Sequence, residues 1–172
     1  SLQELIDTSL EEDKVEAIRK AIMDVDGVRA LHMLRTRRSG SDALVDVHIL
    51  VDPGLSVSEG HMIGEYVRSR LIGEMDDVSD VTVHIDPEDD EVASPCNGLP
   101  LRDEVMQRLE KRWSKLGVHS DIEKVVLHYL DGKVHVDVFM HPVDMDLAGR
   151  EKLADRIRKS AGKVDDIGNV EV

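Results

Sequence analysis

Only one cysteine, Cys96, occurs in the 172 residues, which excludes an internal disulfide framework and any multi-cysteine zinc ribbon. Aromatic residues are nearly absent: Tyr66, Trp113, Tyr129 and Phe139 are all there are. Basic residues are outnumbered, 22 Lys and Arg against 36 Asp and Glu. A nucleic-acid surface needs positive charge and usually stacking rings, so that class of partner is excluded. No apolar run approaches the about 18 residues of a membrane span, and no secretory signal pattern opens the sequence. A Gly-rich phosphate loop and a His-Glu-x-x-His motif are both missing.

What is present is 41% hydrophobic residues, enough for a packed core, and a length that suits one medium domain or two small ones. The formal net charge is −14, and eight histidines are many for this size. Residues 1–95 carry a net −13 and residues 96–172 a net −1. An acidic half concentrates cations and repels phosphate backbones. These features predict a soluble, intracellular protein.

Ser9-x-x-Glu12 has the form of a capping box, and Val15, Ile18, Ile22 and Val25 follow at helical spacing up to Asp26-Gly27. Residues 28–38 and 43–51 read as two strands around a tight loop centred on Gly40. The second strand alternates, with Val45, Val47 and Ile49 on one face and Asp46 and His48 on the other. Ser56-x-x-Glu59 caps a second helix with Ile63, Val67 and Leu71 as its buried stripe. Residues 78–86 form a third strand. The order is α-β-β-α-β, and Leu31 and Met33 are expected on the core face with the valines.

Residues 92–100 read as a linker between a domain over 1–91 and another over 101–172. The second half repeats the pattern: a helix stripe of Val105, Leu109, Trp113 and Leu116, strands 122–130 and 133–141 around Asp131-Gly132, a helix over 146–161 and a strand over 164–172. The fold class is therefore α+β, two αββαβ units, each a small sheet with helices on one face. Pro53 to Gly60 and Pro142 to Gly149 are equally spaced, as a duplication would leave them.

A loop centred on Gly40 places His32 directly opposite His48, about 4.5–5.5 Å apart at Cβ. His84 and Asp86 share that open face on the third strand. Three imidazoles and a carboxylate are a borderline-soft ligand set suited to zinc. An open-position zinc would activate water, a second reading, but no nucleophile or oxyanion hole accompanies it.

His32 through Gly40, Val47-His48-Ile49-Leu50, Gly60-His61-Met62 and Val83-His84-Ile85-Asp86-Pro87 resemble the cytoplasmic C-terminal domain of the cation diffusion facilitator family. Leu5-Ile6-Asp7 looks like the segment that follows the last membrane helix in that family. The resemblance covers roughly residues 3–91. It implies a metallochaperone-like, ferredoxin-like αββαβ fold and no enzymatic activity. The implied role is regulatory, within a zinc-type cation/proton antiporter at the cytoplasmic face of the membrane. It further implies a homodimer that binds metal at its interface, joined to a transmembrane domain of the same polypeptide that this chain lacks. His32, His48, His84 and Asp86 match the family's binuclear site, and His61 its helical ligand, reaching an ion from a neighbouring subunit. Zn²⁺ is the expected ion, with Mn²⁺, Fe²⁺, Co²⁺ and Cd²⁺ as alternatives. A free-standing soluble metal buffer or chaperone of the same fold is the other reading.

The family domain ends soon after its His-x-Asp-Pro element, so the second half lies outside the resemblance. With Asp131-Gly132 as a two-residue turn, His128 faces His135, with Asp137 on the same face. Glu171 is expected where the first unit has His84, and the Asp86 counterpart just past Val172. His128, His135, Asp137 and Glu171 fall short of a full set, which predicts a degenerate copy with a structural main role and a weak second site at best.

Overall fold

The computed structural model describes residues 10–172, in two compact units that divide between Asp89 and Asp90. The Ser9 capping box and the Leu5-Ile6-Asp7 segment lie outside the described residues. Unit 1 runs α1 (Glu12–Met23), β1 (Ala30–Ser39), β2 (Asp42–Leu50), α2 (Val57–Glu74) and β3 (Val78–Asp86). Its sheet has the order β1-β2-β3, with β1 antiparallel and β3 parallel to β2. The αββαβ order follows the sequence pattern, and the strand order puts β2 in the centre.

Alternation in β2 drives the layering. Val45, Val47 and Ile49 are buried with Ile18 and Ile22 of α1 and Val67 and Leu71 of α2. Each such side chain contributes about 1.5–3 kcal/mol when fully buried. Ser56 caps α2 as its sequence predicts, its Oγ accepting from the Glu59 N–H at 3.2 Å. The helix approaches β3 closely because Gly64 carries no side chain. A Cβ there would meet Ile85 Cδ1 at 3.1 Å and Val83 Cγ1 at 3.7 Å. A Gly64→Val variant should lose about 1–3 kcal/mol by overpacking, read as a lower thermal midpoint.

The first hairpin differs from its sequence reading. Ser39 pairs with Asp42, so the turn is the two residues Gly40-Ser41 and not a loop centred on Gly40. The register then slips by one at a bulge: Leu31 pairs with Ile49 and Met33 with His48. His32 is the extra residue of the bulge and has no partner directly opposite. Met33 therefore joins His48 on the open face and does not pack with the core, whereas Leu31 and Leu34 do.

Unit 2 runs α3 (Arg102–Trp113), two 3₁₀ turns (Ser114–Leu116 and His119–Asp121), β4 (Ile122–Leu130), β5 (Lys133–Met140), α4 (Leu147–Ala161) and β6 (Ile167–Glu171). Its sheet order is β4-β5-β6, antiparallel then parallel, the same scheme as unit 1. Trp113, Leu109 and Ile157 are fully buried with Val134 and Val136. Residues read as linker belong to this unit. Leu99 packs on its core, the Tyr129 hydroxyl donates to the Pro100 carbonyl at 3.0 Å, and the Ser94 N–H donates to Asp131 Oδ1 at 2.9 Å.

Asp131 and Gly132 turn the β4–β5 hairpin with φ of 47° and 69°, the left-handed pair that Asp-Gly tolerates. The backbone hydrogen bond from Ser94, helped by its side chain, holds the Asp131 carboxyl below the usual carboxylate range. A lowered native value means that the charged form is favoured by folding. Its contribution is complete above the ordinary aspartate range and is lost as pH falls through the native value. An NMR titration should place the Asp131 carboxyl below that of an unstructured Asp-Gly peptide, and Ser94→Pro, which removes the donor, should raise it.

Candidate metal centre

The helices cover one face of the unit 1 sheet, and the other face collects the imidazoles. Parallel pairing sets His48 of β2 directly beside His84 of β3. Their rings stack at 4.3 Å between centroids with 17° between planes. His32, turned onto the same face by the bulge, meets His48 edge-on at 6.4 Å. Asp86 Oδ2 lies 2.9 Å from His48 Nδ1 and 3.4 Å from His32 Nε2. A neutral imidazole with its Nδ1 against a carboxylate donates there, which leaves the lone pair on Nε2. Asp89 approaches the other nitrogen of His32, Nδ1, at 3.2 Å.

At the opposite end of His48 stands Asp46, whose Oδ1 is 3.6 Å from His84 Nε2. Asp46, His48 and His84 each offer one ligand atom, all within 4.8 Å of one another, the one such set found among the described residues. Two buried ligand-type atoms on this face, His32 Nε2 and Asp46 Oδ1, have no hydrogen-bond partner. Buried polar atoms are rarely left so unless something else binds them. The donor set and the orphaned atoms fit a divalent ion with N/O preference.

Of the five residues singled out in the first unit, His32, His48, His84 and Asp86 come together. His61 does not: it is exposed on α2, which packs on the core side of the sheet. Two residues that sequence reasoning left out belong to the site. Asp46 is two residues before His48, on the same face by strand period, and that spacing was the available signal. Asp89 sits in an acidic run whose composition resembles a linker, and nothing in the sequence marks it as a histidine partner.

The second unit has the directly opposed histidine pair that the bulge denies the first, with His128 opposite His135. Its remaining groups diverge. His128 Nε2 meets Asp137 Oδ2 at 2.9 Å. His135 Nδ1 accepts from the Asn169 N–H at 3.0 Å, and its ring lies over Gly168. Glu171 of β6 pairs with Asp137 of β5, and Asn169 supplies a backbone hydrogen bond to His135.

Residues 10–88 match the family model described as cation efflux protein, cytoplasmic domain. Metal tolerance protein C1 of Arabidopsis thaliana is 47% identical over 87 residues, covering 51% of this chain and 18% of that protein. Cation-efflux pump FieF of Pectobacterium carotovorum is 32% identical over 87 residues, covering 51% and 29%. Manganese efflux system protein MneP of Bacillus subtilis is 28% identical, with the same coverage. The chain therefore spans less than a third of the length of these relatives. No helix among the described residues is long and apolar enough to cross a membrane. With its αββαβ order and its parallel His48–His84 pair, the segment 10–88 is similar over its whole length to the cation efflux protein cytoplasmic domain.

Proposed function

We propose that unit 1 is the regulatory metal-binding and dimerisation domain of a divalent-cation exporter that works as a cation/proton antiporter at the cytoplasmic face of a membrane. The reading is carried by the convergence of His32, His48, His84 and Asp86 on one sheet face. The relatives' names, metal tolerance, cation efflux and manganese efflux, point to divalent ions as cargo. Imidazole with carboxylate favours Zn²⁺ and accepts Mn²⁺, Fe²⁺, Co²⁺ and Cd²⁺. When bound, the ion supplies positive charge between two strongly acidic domains, which reduces their repulsion and tightens a homodimer. His61, on the helix side, serves an ion only from a second copy. Unit 2 is a structural companion, because its His135 is held by Asn169 and its Glu171 by the Asn169 amide at 3.3 Å.

Calorimetry with Zn²⁺ and light scattering on the same samples test this. The expected result is saturable binding, with a mass shift from monomer towards dimer as Zn²⁺ is added. A chain that binds no divalent ion, or that stays monomeric at saturating Zn²⁺ and high protein concentration, would overturn it.

A further inference from the structure

Asp46 lies outside the His32, His48, His84 and Asp86 set that carries the proposed function, yet its geometry is that of a ligand. Its Oδ1 is buried and unpartnered while the rest of the side chain reaches solvent, 42% exposed. That oxygen stands 3.6 Å from His84 Nε2. Ligand atoms around one tetrahedral ion, at bonds of about 2.1 Å, lie about 3.4 Å apart. The three ligand atoms of Asp46, His48 and His84 all lie within 4.8 Å of one another. Rotamer adjustment of an exposed imidazole, His84 at 51%, closes the remaining gap.

Asp86 occupies a different position. It contacts Nδ1 of His48 and Nε2 of His32, at the better buried end of the face, where His32 and Asp86 are only 14% and 19% exposed. The two carboxylates therefore flank His48 from opposite directions along the strands.

We infer that Asp46, His48 and His84 form a three-ligand ion position complete within one chain, distinct from the His32–Asp86 end, with Asp86 orienting His48 through Nδ1. This rests on the metal-binding reading of the face. Three protein ligands leave coordination positions open to water, which suits an ion that exchanges. Because no ligand comes from a second copy, an ion binds a single chain before any pairing. Binding at this position then precedes dimerisation.

The full chain titrated with Co²⁺, followed by its visible absorption, tests this with three variants. Asp46→Asn preserves shape and removes the charged ligand. Asp80→Asn removes one equal charge from an exposed residue of the same strand face and serves as the control. His48→Ala reports on the metal face as a whole. The expected result is an affinity weaker by more than about 100-fold for Asp46→Asn, beyond the 10–100-fold typical of outer-shell partners, and by less than about threefold for Asp80→Asn. The wild type should also still bind Co²⁺ at protein concentrations low enough to keep the chain monomeric. Equal affinities for Asp46→Asn and Asp80→Asn, with His48→Ala abolishing binding, would overturn the Asp46 assignment and leave the metal-binding reading standing. A dilute, monomeric chain that binds no Co²⁺ would overturn the single-chain position. Loss of nothing in His48→Ala would overturn both.

Discussion

Alanine at position 48 should abolish divalent-ion binding, with an affinity loss of at least about 1,000-fold, while the fold of unit 1 survives. His48 touches three other members of the site: it stacks on His84, meets His32 edge-on and sets its Nδ1 against Asp86. It also belongs to the set with Asp46. A ligand that is lost removes its own bond, and here it also releases the carboxylate and the two imidazoles it aligns. The loss should exceed the 10–100-fold that orienting residues alone produce. The side chain lies on the open face, 26% exposed, and contributes nothing to the valine core. Thermal unfolding should therefore change little, since surface substitutions away from special features usually stay within about 0.5 kcal/mol. Zn²⁺ calorimetry paired with thermal melts separates the two effects. Wild-type affinity in His48→Ala would show that the imidazole face is not the metal site.

Strand order makes His48, rather than His84 on the edge strand, the centre of the site. The reason is topological. Alternation identifies which residues share a face, but strand order decides which strand has neighbours on both sides, and β2 is the middle one. The open face itself was legible, because Val45, Val47 and Ile49 leave Asp46 and His48 no other direction. The Asp131-Gly132 hairpin was legible to the residue, since the turn type fixes the register and His128 does face His135. The first hairpin was not, because a bulge adds one unpaired residue and leaves no mark on composition. That bulge nevertheless keeps His32 on the metal face, so a wrong register led to a correct neighbourhood. Residues 92–100 read as linker from their Pro, Gly and Ser content. Their attachment depends on single hydrogen bonds to Asp131 and Tyr129 that no periodicity announces.

Trp113→Ala should unfold unit 2 or bring it close to unfolding, at a cost of about 3–5 kcal/mol, without touching metal binding in unit 1. Trp113 is fully buried, the largest side chain in its core, where it packs with Val105, Leu109 and Ile157. Truncation leaves a cavity that two short helices and a three-stranded sheet cannot close, and a domain of this size has roughly 5–15 kcal/mol in total. The indole N–H is buried without an acceptor, so the residue is held by shape and apolar area rather than by a hydrogen bond. Trp113→Phe keeps most of that area and discards the unpaired N–H, and should cost markedly less than alanine. The two variants together distinguish packing from polarity. Every proposed ligand, from His32 to Asp86, lies in the other compact unit. Circular dichroism and calorimetric melting should show the lower-melting transition of Trp113→Ala shifted or missing, while Co²⁺ titration returns the wild-type affinity. Loss of Co²⁺ binding in Trp113→Ala would mean that the second unit supports the metal face directly, and that its role is more than that of a structural companion.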